Sequence, residues 1–200
     1  MARSSARPAR LPGEERRLHF LQVAAELISE KGVDAVTMES VAAAAGVSKG
    51  LGYAYFTNRD DLVLGVLELE LGAFNSRITA AVLAAGPGVE AQVRAAVHEW
   101  FLALTDRGAV LNTLLQASQN RLPLRDRRNE TYRRLESHWG HLVATEFGVP
   151  ENKAAAMCAV LISGMQGLLD RWVHVRDSRQ MLEDSYVEFA IGGLRSLKAD

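Results

Sequence analysis

One segment near the start of the chain, residues 46–62, carries side chains that can bind an anion. Ser48 and Lys49 directly follow a turn, and Tyr53 and Tyr55 come soon after them. A hydroxyl or an ammonium group can each bond a phosphate oxygen, and the backbone amides at a helix start can do the same. These residue types predict that the segment binds a phosphate-bearing partner.

Two short helices would hold these side chains. Thr37 is a good cap for a helix predicted over Met38–Ala45, and Gly46 is suited to end it. Ser48 caps a third predicted helix, which runs to Tyr55. Two short helices joined by a tight glycine turn have the proportions of a helix-turn-helix, and the second helix of such a unit is presented outward.

The rest of the chain also has helical patterning, and no segment alternates with the period of a strand between hairpin turns. The predicted fold is all-α, with a three-helix N-terminal head and a larger helical body. The predicted domains are a flexible basic arm over 1–13, a helix-turn-helix domain over 14–62, and a helical domain over 63–200, for which a family resemblance given below implies effector binding and dimerisation. Further helices are predicted over Glu14–Lys31, Arg59 to about Leu83 with Asn58 as its cap, Val89–Thr105, Ala109–Ser118, Leu124–Phe147, Glu151–Val175 and Ser178–Lys198.

The composition is that of an ordinary water-soluble protein. A chain of 200 residues with 48% hydrophobic content can bury one substantial core. Its one cysteine, Cys158, excludes an internal disulfide framework and suits the reducing cytoplasm. The longest apolar run, residues 154–169, is shorter than the roughly 20 residues that a membrane helix needs. We therefore expect a cytoplasmic protein with no membrane partner.

The charge is unevenly distributed along the chain. The net charge is −1, yet five arginines fall within the first seventeen residues: Arg3, Arg7, Arg10, Arg16 and Arg17. This basic arm is either an incidental tail or, as the family resemblance given next implies, a segment that can enter a DNA minor groove ahead of the helix-turn-helix.

The run VAAAAGVSKGLGYAYFTNRDDL, Val41 to Leu62, resembles the DNA-binding signature of TetR-family transcriptional regulators. The resemblance is close over about residues 14–62, whereas the body agrees only in length and helix content. It implies a ligand-responsive regulator, most often a repressor released from its operator DNA by a small, largely apolar effector. Arg59 stands where the family usually has a phosphate-binding lysine. The DNA contacts it implies are Thr37, Ser48, Lys49, Gly50, Leu51, Tyr53, Tyr55 and Arg59.

One position departs from the family pattern. Where the family often has a small polar residue followed by a bulky apolar one, this chain has Leu51 and then Gly52. A helical glycine costs ~1 kcal/mol relative to alanine. Leu51 either turns inward to replace the missing core side chain or stays outward to contact a thymine methyl group.

Small side chains recur at four-residue spacing near the C-terminal end of the chain. Such a stripe lets another helix approach closely, either within one subunit or in a homodimer. The resemblance implies the second arrangement, a two-fold four-helix interface. The predicted interface residues are Ala155, Ala159, Ser163, Gly167, Ala190 and Gly193.

The middle of the chain mixes large aromatic side chains with scattered polar ones. This mixture suits an apolar ligand cavity with a few orienting polar groups, and it also suits an ordinary core. The predicted pocket residues are Trp100, Phe101, Asn112, Gln116, Trp139, Phe147, Met165, Gln166 and Trp172.

Other chemistry has weaker support in the sequence. His138 and His141 could bind a metal from one helix face, but a third ligand is lacking at a fixed offset. An arginine cluster, residues 121–134, could receive an anionic effector or form a solvated helix face. No phosphate-binding glycine loop, HExxH pair or nucleophile elbow is present, so we expect neither an enzyme nor a cofactor. Two rival hypotheses are a helical enzyme or small-molecule carrier with an incidental helix-turn-helix, and a helical interaction module that does not bind DNA.

Overall fold

The computed structural model describes residues 13–197, apart from the side chains at positions 106, 107 and 109. Within these residues the chain is helical and contains no strand, as predicted. The predicted arm, 1–13, lies outside the described residues except for Gly13. The helices are α1 (Gly13–Lys31), α2 (Met38–Ala44), α3 (Lys49–Tyr53), α4 (Arg59–Ala84), α5 (Val89–Ala117), α6 (Leu122–Phe147), α7 (Glu151–Asp170) and α8 (Arg179–Ser196).

The chain forms two compact units that divide after Leu69, within α4. The sequence placed this boundary earlier, after Leu62. The difference arises because Val63, Val66 and Leu67 are buried with the core of the first unit. The N-terminal part of α4 therefore belongs to the three-helix head that precedes it.

The first unit is closed around two phenylalanines. The rings of Phe20 on α1 and Phe56 after α3 lie 6.3 Å apart, and each side chain is only 1% exposed. Val41 of α2 and Leu62 of α4 are fully buried. Burying side chains of this size contributes about 1.5–3 kcal/mol each, so these four residues stabilise a core to which α1, α2, α4 and the segment after α3 contribute.

Local hydrogen bonds fix where the helices of this unit begin. The Thr37 hydroxyl accepts from the Ser40 amide at 2.9 Å, and the Ser40 hydroxyl accepts from the Thr37 amide at 2.9 Å, which is a reciprocal capping box. Asn58 Oδ1 accepts from the Asp61 amide at 2.9 Å at the start of α4. Gly46, with φ 67°, makes the left-handed turn between α2 and α3. The predicted caps Thr37 and Asn58 are thus confirmed.

The second unit contains the rest of α4 and the long helices α5–α8. Its closest helix packing is between α6 and α7, where a Cβ added to Gly140 would lie 3.0 Å from the Cα of Ala155. At another point in the unit, Trp100 and Trp172 both pack edge-on against the fully buried Phe101, with ring centroids 5.0 and 5.7 Å from it.

Three predicted helix limits in this unit were wrong. Helix α5 is continuous through the break predicted between Thr105 and Ala109, and Gly108 lies in its interior. Pro123 lies in the first turn of α6, where a missing N–H breaks no helical bond. The helix predicted to reach Val175 changes at Asp170 into a π turn over Arg171–Val175.

Candidate functional site

The predicted anion-binding side chains form one exposed cluster on the first unit. Ser48, Lys49 and Gly50 are exposed at the start of α3, and Tyr53 at its end is 49% exposed. Thr37 is exposed at the start of α2. Ser48 occupies the cap position of α3, but its hydroxyl makes no capping bond, contrary to the prediction that it does. This leaves that hydroxyl facing solvent.

Lys49 is tied to two neighbours in this cluster. Its ammonium group pairs with the Glu39 carboxylate of α2 and lies 5.7 Å from the centre of the Tyr53 ring. The hydrogen bond to Glu39 raises the pKa of Lys49, and the same bond lowers the pKa of Glu39, with a smaller contribution from Thr37. Lys49 is therefore charged, and its contacts with Glu39 and Tyr53 position its side chain on the surface between α2 and α3.

Arg59 has a different environment from the rest of the predicted set. Its Nε donates to the carbonyl of Val36 and its Nη2 to the carbonyl of Val33, both at 2.7 Å. The side chain is 27% exposed and also lies near Asp34 and Asp60. The guanidinium thus links the turn before α2 to the start of α4. The sequence pattern did not indicate this link.

The structure explains the unusual Gly52. A Cβ at this position would lie 3.1 Å from Cε of Met38 and 3.2 Å from Cε1 of Phe20. These two side chains fill the space that a bulky residue would take. Leu51 is half-buried and Tyr55 is half-buried, so neither is fully withdrawn from the surface.

The second unit encloses a cavity of about 300 Å³. Four of the predicted pocket residues line it: Trp100, Trp139, Met165 and Gln166. The other five do not. Phe101 is core and packs against Trp172, Phe147 packs against the same core, and Gln116 is exposed. Asn112 is half-buried away from the lining.

Several lining residues escaped sequence reasoning. On α4 they recur at helical spacing, as Phe74, Asn75, Ile78 and Val82, and on α6 the set includes Thr131, Tyr132, Leu135 and His138. The three-to-four residue periodicity of α4 was present in the sequence. That periodicity places Phe74, Ile78 and Val82 on one face of α4 and could have identified them.

Polar groups at the cavity wall differ in their freedom to bind a ligand. The Tyr186 hydroxyl donates to the carbonyl of Leu161 at 2.6 Å, so it is already used. Burial raises the pKa of the Cys158 thiol to about 11, which keeps it protonated at neutral pH. Gln166 Nε2 donates to the Tyr132 hydroxyl at 3.2 Å. The wall is therefore apolar with a few neutral hydrogen-bonding groups.

The residues predicted to form a dimer interface separate into two sets. Ala155 packs against Gly140 and Ala190 is completely buried at the cavity wall, so both lie inside the subunit. Ser163 and Gly167 are exposed on α7, while Ala159 and Gly193 are half-buried. Val160 on α7 and Phe189 on α8 are exposed apolar residues, at 61% and 65%. Neither residue belongs to the stripe of small side chains that the sequence indicated.

The histidine pair and the arginine cluster have other partners. The His138 ring packs edge-on against Trp139, whereas His141 Nδ1 lies 3.3 Å from the Glu151 carboxylate. In the described residues no group of three or more His, Cys, Asp or Glu could hold a metal ion. Glu130 pairs with Arg127 and Arg134, as expected for a solvated helix face. No helix in residues 13–197 is long and apolar enough to cross a membrane.

Comparison with known proteins finds similarity to bacterial regulatory proteins. The family model "Bacterial regulatory proteins, tetR family" matches residues 20–66. The HTH-type transcriptional regulator AcrR of Shigella flexneri is 24% identical over 196 residues, which cover 90% of this chain and 88% of that protein. The fatty acid metabolism regulator protein of Bacillus subtilis (strain 168) is 26% identical over 120 residues, which cover 58% of this chain and 62% of that protein. The match thus spans less than two thirds of the Bacillus relative.

A solved structure has the same fold over nearly the whole chain. It is the fatty acid degradation regulator FadR from Bacillus halodurans, with a TM-score of 0.73 and 21% sequence identity. The match covers 93% of this chain and 99% of that one. The matched residues 20–66 contain the capped α2, the glycine turn and the exposed α3 cluster described above. Residues 20–66 thus match the tetR family of bacterial regulatory proteins, and the chain as a whole has the fold of a solved regulator.

Proposed function

We propose that this chain is a transcriptional repressor that binds double-stranded operator DNA as a homodimer. A small, largely apolar effector enters the cavity of the second unit and releases the DNA. The observation that carries the proposal is the exposed cluster around α3, held on a fully packed first unit. Because its partner is chromosomal DNA, we place its action in the cytoplasm.

The exposed cluster supplies the groups that DNA recognition needs. The hydroxyls of Thr37, Ser48 and Tyr53 can bond phosphate oxygens, and Lys49 adds charge by exchanging Glu39 for a phosphate. Gly50 has open space around it, so a DNA strand can approach its backbone closely. Tyr55 and Leu51, both half-buried, complete the proposed contact set. We assign Arg59 a positioning role instead, because its guanidinium is bonded to two backbone carbonyls.

The exposed side of α7 and α8 supports a homodimer. Val160, Ser163 and Gly167 follow one another at three- and four-residue spacing, so they share one face of α7. Phe189 projects from α8 with 65% of its surface exposed. A second copy of the chain would bury this apolar surface, and its two-fold symmetry would suit two half-sites about one DNA turn apart.

One helix can couple the effector to the DNA. The first part of α4 contributes Leu62 and Val66 to the core of the head, and a later part contributes Phe74 and Ile78 to the cavity wall. An effector that moves the later part of α4 can therefore disturb the heads. Two heads joined in a dimer bind well at only one spacing, so release follows. The expected coupling is on the order of 1–3 kcal/mol, and DNA must weaken effector binding by the same factor.

The names of two relatives support an apolar effector. One is a fatty acid metabolism regulator and the other a fatty acid degradation regulator. The cavity in this chain is lined mainly by aliphatic and aromatic side chains, which is the environment that an apolar effector needs.

Selection of bound sequences from random duplex DNA tests the proposal. We expect one preferred sequence with two inverted half-sites, bound by two copies of the chain. Enrichment of no sequence at moderate salt would contradict the DNA-binding role. A half-site without a partner would instead contradict the proposed homodimer.

A further inference from the structure

The cavity wall carries no full charge. Among the described residues that line it, none is Lys, Arg, Asp or Glu, and the one imidazole belongs to His138. Moving an ionised group from water into such a space costs far more than moving a neutral polar group, unless a counter-charge receives it. The wall therefore favours a neutral ligand over its ionised analogue.

Charged side chains on the helices around the cavity have partners of their own. Arg77 on α4 donates to Glu99 on α5 at 2.6 Å. On α6, Glu130 accepts from Arg127 at 2.8 Å and also binds Arg134. Arg128 on α6, whose charge acts on Tyr132, donates to the Ser118 hydroxyl at 3.0 Å and to Asn129 Oδ1 at 3.3 Å, and it does not line the cavity. These charged groups thus already have hydrogen-bond partners, and none of them belongs to the wall that a ligand contacts.

One polar pair at the wall is arranged to bind a ligand oxygen. The Tyr132 hydroxyl accepts a hydrogen bond from Gln166 Nε2 at 3.2 Å, which links α6 to α7. Burial raises the pKa of Tyr132, so the phenol keeps its proton. No described residue accepts that proton in a hydrogen bond. The phenol hydrogen is therefore a donor that a ligand can use.

We infer that the effector is an uncharged molecule with an apolar body and one hydrogen-bond-accepting oxygen, of the ester or ketone class, which binds the Tyr132 hydroxyl. The assignment deepens the proposed function and rests on it for the regulatory consequence. The cavity of about 300 Å³ is at the small end of the usual range for ligand sites, so the apolar body is of modest size. This preference for an uncharged effector distinguishes the chain from any receptor that binds a free carboxylate.

Calorimetric titration of the full chain with two matched probes tests this inference. Methyl decanoate and decanoate have the same alkyl chain, but only the first is neutral. We expect the ester to bind at least about ten-fold more tightly, since the wall offers no counter-charge to the anion. Tyr132→Phe should weaken ester binding roughly five-fold by removing one hydrogen bond. Ser185→Ala, which removes a hydroxyl from the exposed surface of α8 outside the cavity lining, should leave ester binding unchanged.

Each contrary result has a distinct meaning. Decanoate binding as tightly as the ester, or neither probe binding, would overturn the inference. Equal ester affinity for the wild type and Tyr132→Phe would also overturn it, because the oxygen would then bind elsewhere. Operator affinity without any probe is measured in parallel. Ester binding that leaves operator affinity unchanged would reject the proposed release while the ligand class stands.

Discussion

The two units of this chain are packed in opposite ways. In the first unit Phe20, Phe56 and Leu62 fill the interior, and even the position of Gly52 is crowded by its neighbours. The second unit is almost twice as long, yet it keeps a cavity of about 300 Å³. A closed core presents side chains at fixed positions, and an open one can change shape around a ligand. The closely packed first unit is thus suited to DNA recognition, and the second unit, with its cavity, is suited to a response to a ligand.

The largest effect is expected at the surface of the second unit that we propose to bind a second copy. Phe189→Glu places a charge on the exposed apolar face of α7 and α8, so the dimer should dissociate. Operator affinity should then fall about 100-fold or more, because the second head loses its high effective concentration. Light scattering gives the mass, and fluorescence anisotropy gives the operator affinity.

Leu122→Glu is the control for that change. Leu122 is, like Phe189, an exposed large apolar residue of the second unit, at 62%, but it begins α6. This variant should remain dimeric and bind operator normally. If Phe189→Glu keeps the dimer mass, the interface lies on another surface.

A matched pair of Ala→Leu substitutions compares the two interiors directly. Ala24 is completely buried in the first unit, so Ala24→Leu should lower the free energy of unfolding by about 1–3 kcal/mol. Ala96 lines the cavity, so Ala96→Leu has room and should change stability by less than about 1 kcal/mol. It should also weaken binding of methyl decanoate. Urea denaturation and calorimetry check these outcomes, and equal losses of stability would show that the cavity collapses in solution.

Two glycines in α3 give a smaller contrast within the first unit. Gly50 has no atom within 4 Å of an added Cβ, so Gly50→Ala should raise the free energy of unfolding by up to about 1 kcal/mol. At Gly52 the same methyl group would be crowded by Met38 and Phe20, which cancels the gain. Guanidinium denaturation of both variants measures the difference. A similar gain at Gly52 would mean that the head is packed more loosely than described.

The smallest effect is expected at Glu39. Glu39→Gln removes the carboxylate that competes with a phosphate for Lys49, so operator affinity should rise about two-fold. Glu30→Gln makes the same change of charge on the exposed surface of α1 and serves as the control. Anisotropy titrations of both variants at one salt concentration give the comparison. Equal gains in the two would indicate a general charge effect without any role for the pair with Lys49.

The sequence was informative wherever a local pattern decides the structure. The caps Thr37 and Asn58, the turn at Gly46 and the helical fold all follow from the chemistry of neighbouring residues. It failed where distant residues decide. The bonds of Arg59 to Val36 and Val33 join positions 23 and 26 residues apart, respectively. Nothing near Arg59 in the sequence indicates them.

The pocket shows the same limit. Trp100 and Phe101 are neighbours with similar composition signals, but they lie on different sides of α5, and only Trp100 faces the cavity. Which side of a helix faces a void depends on how several helices pack, so composition alone cannot separate lining from core. The same reasoning applies to Ala190, which the small-residue stripe assigned to an interface although the structure buries it.

The central claim, that the first unit binds DNA through the cluster around α3, is tested most directly by the salt dependence of operator affinity. Each phosphate contact contributes roughly 0.9 to the slope of log affinity against log salt. A dimer of Lys49→Ala should therefore have a slope shallower than that of the wild type by about two, with weaker binding at every salt concentration. Arg94→Ala, which removes an exposed charge from the second unit, should keep the wild-type slope. A Lys49→Ala slope equal to that of the wild type would contradict the account.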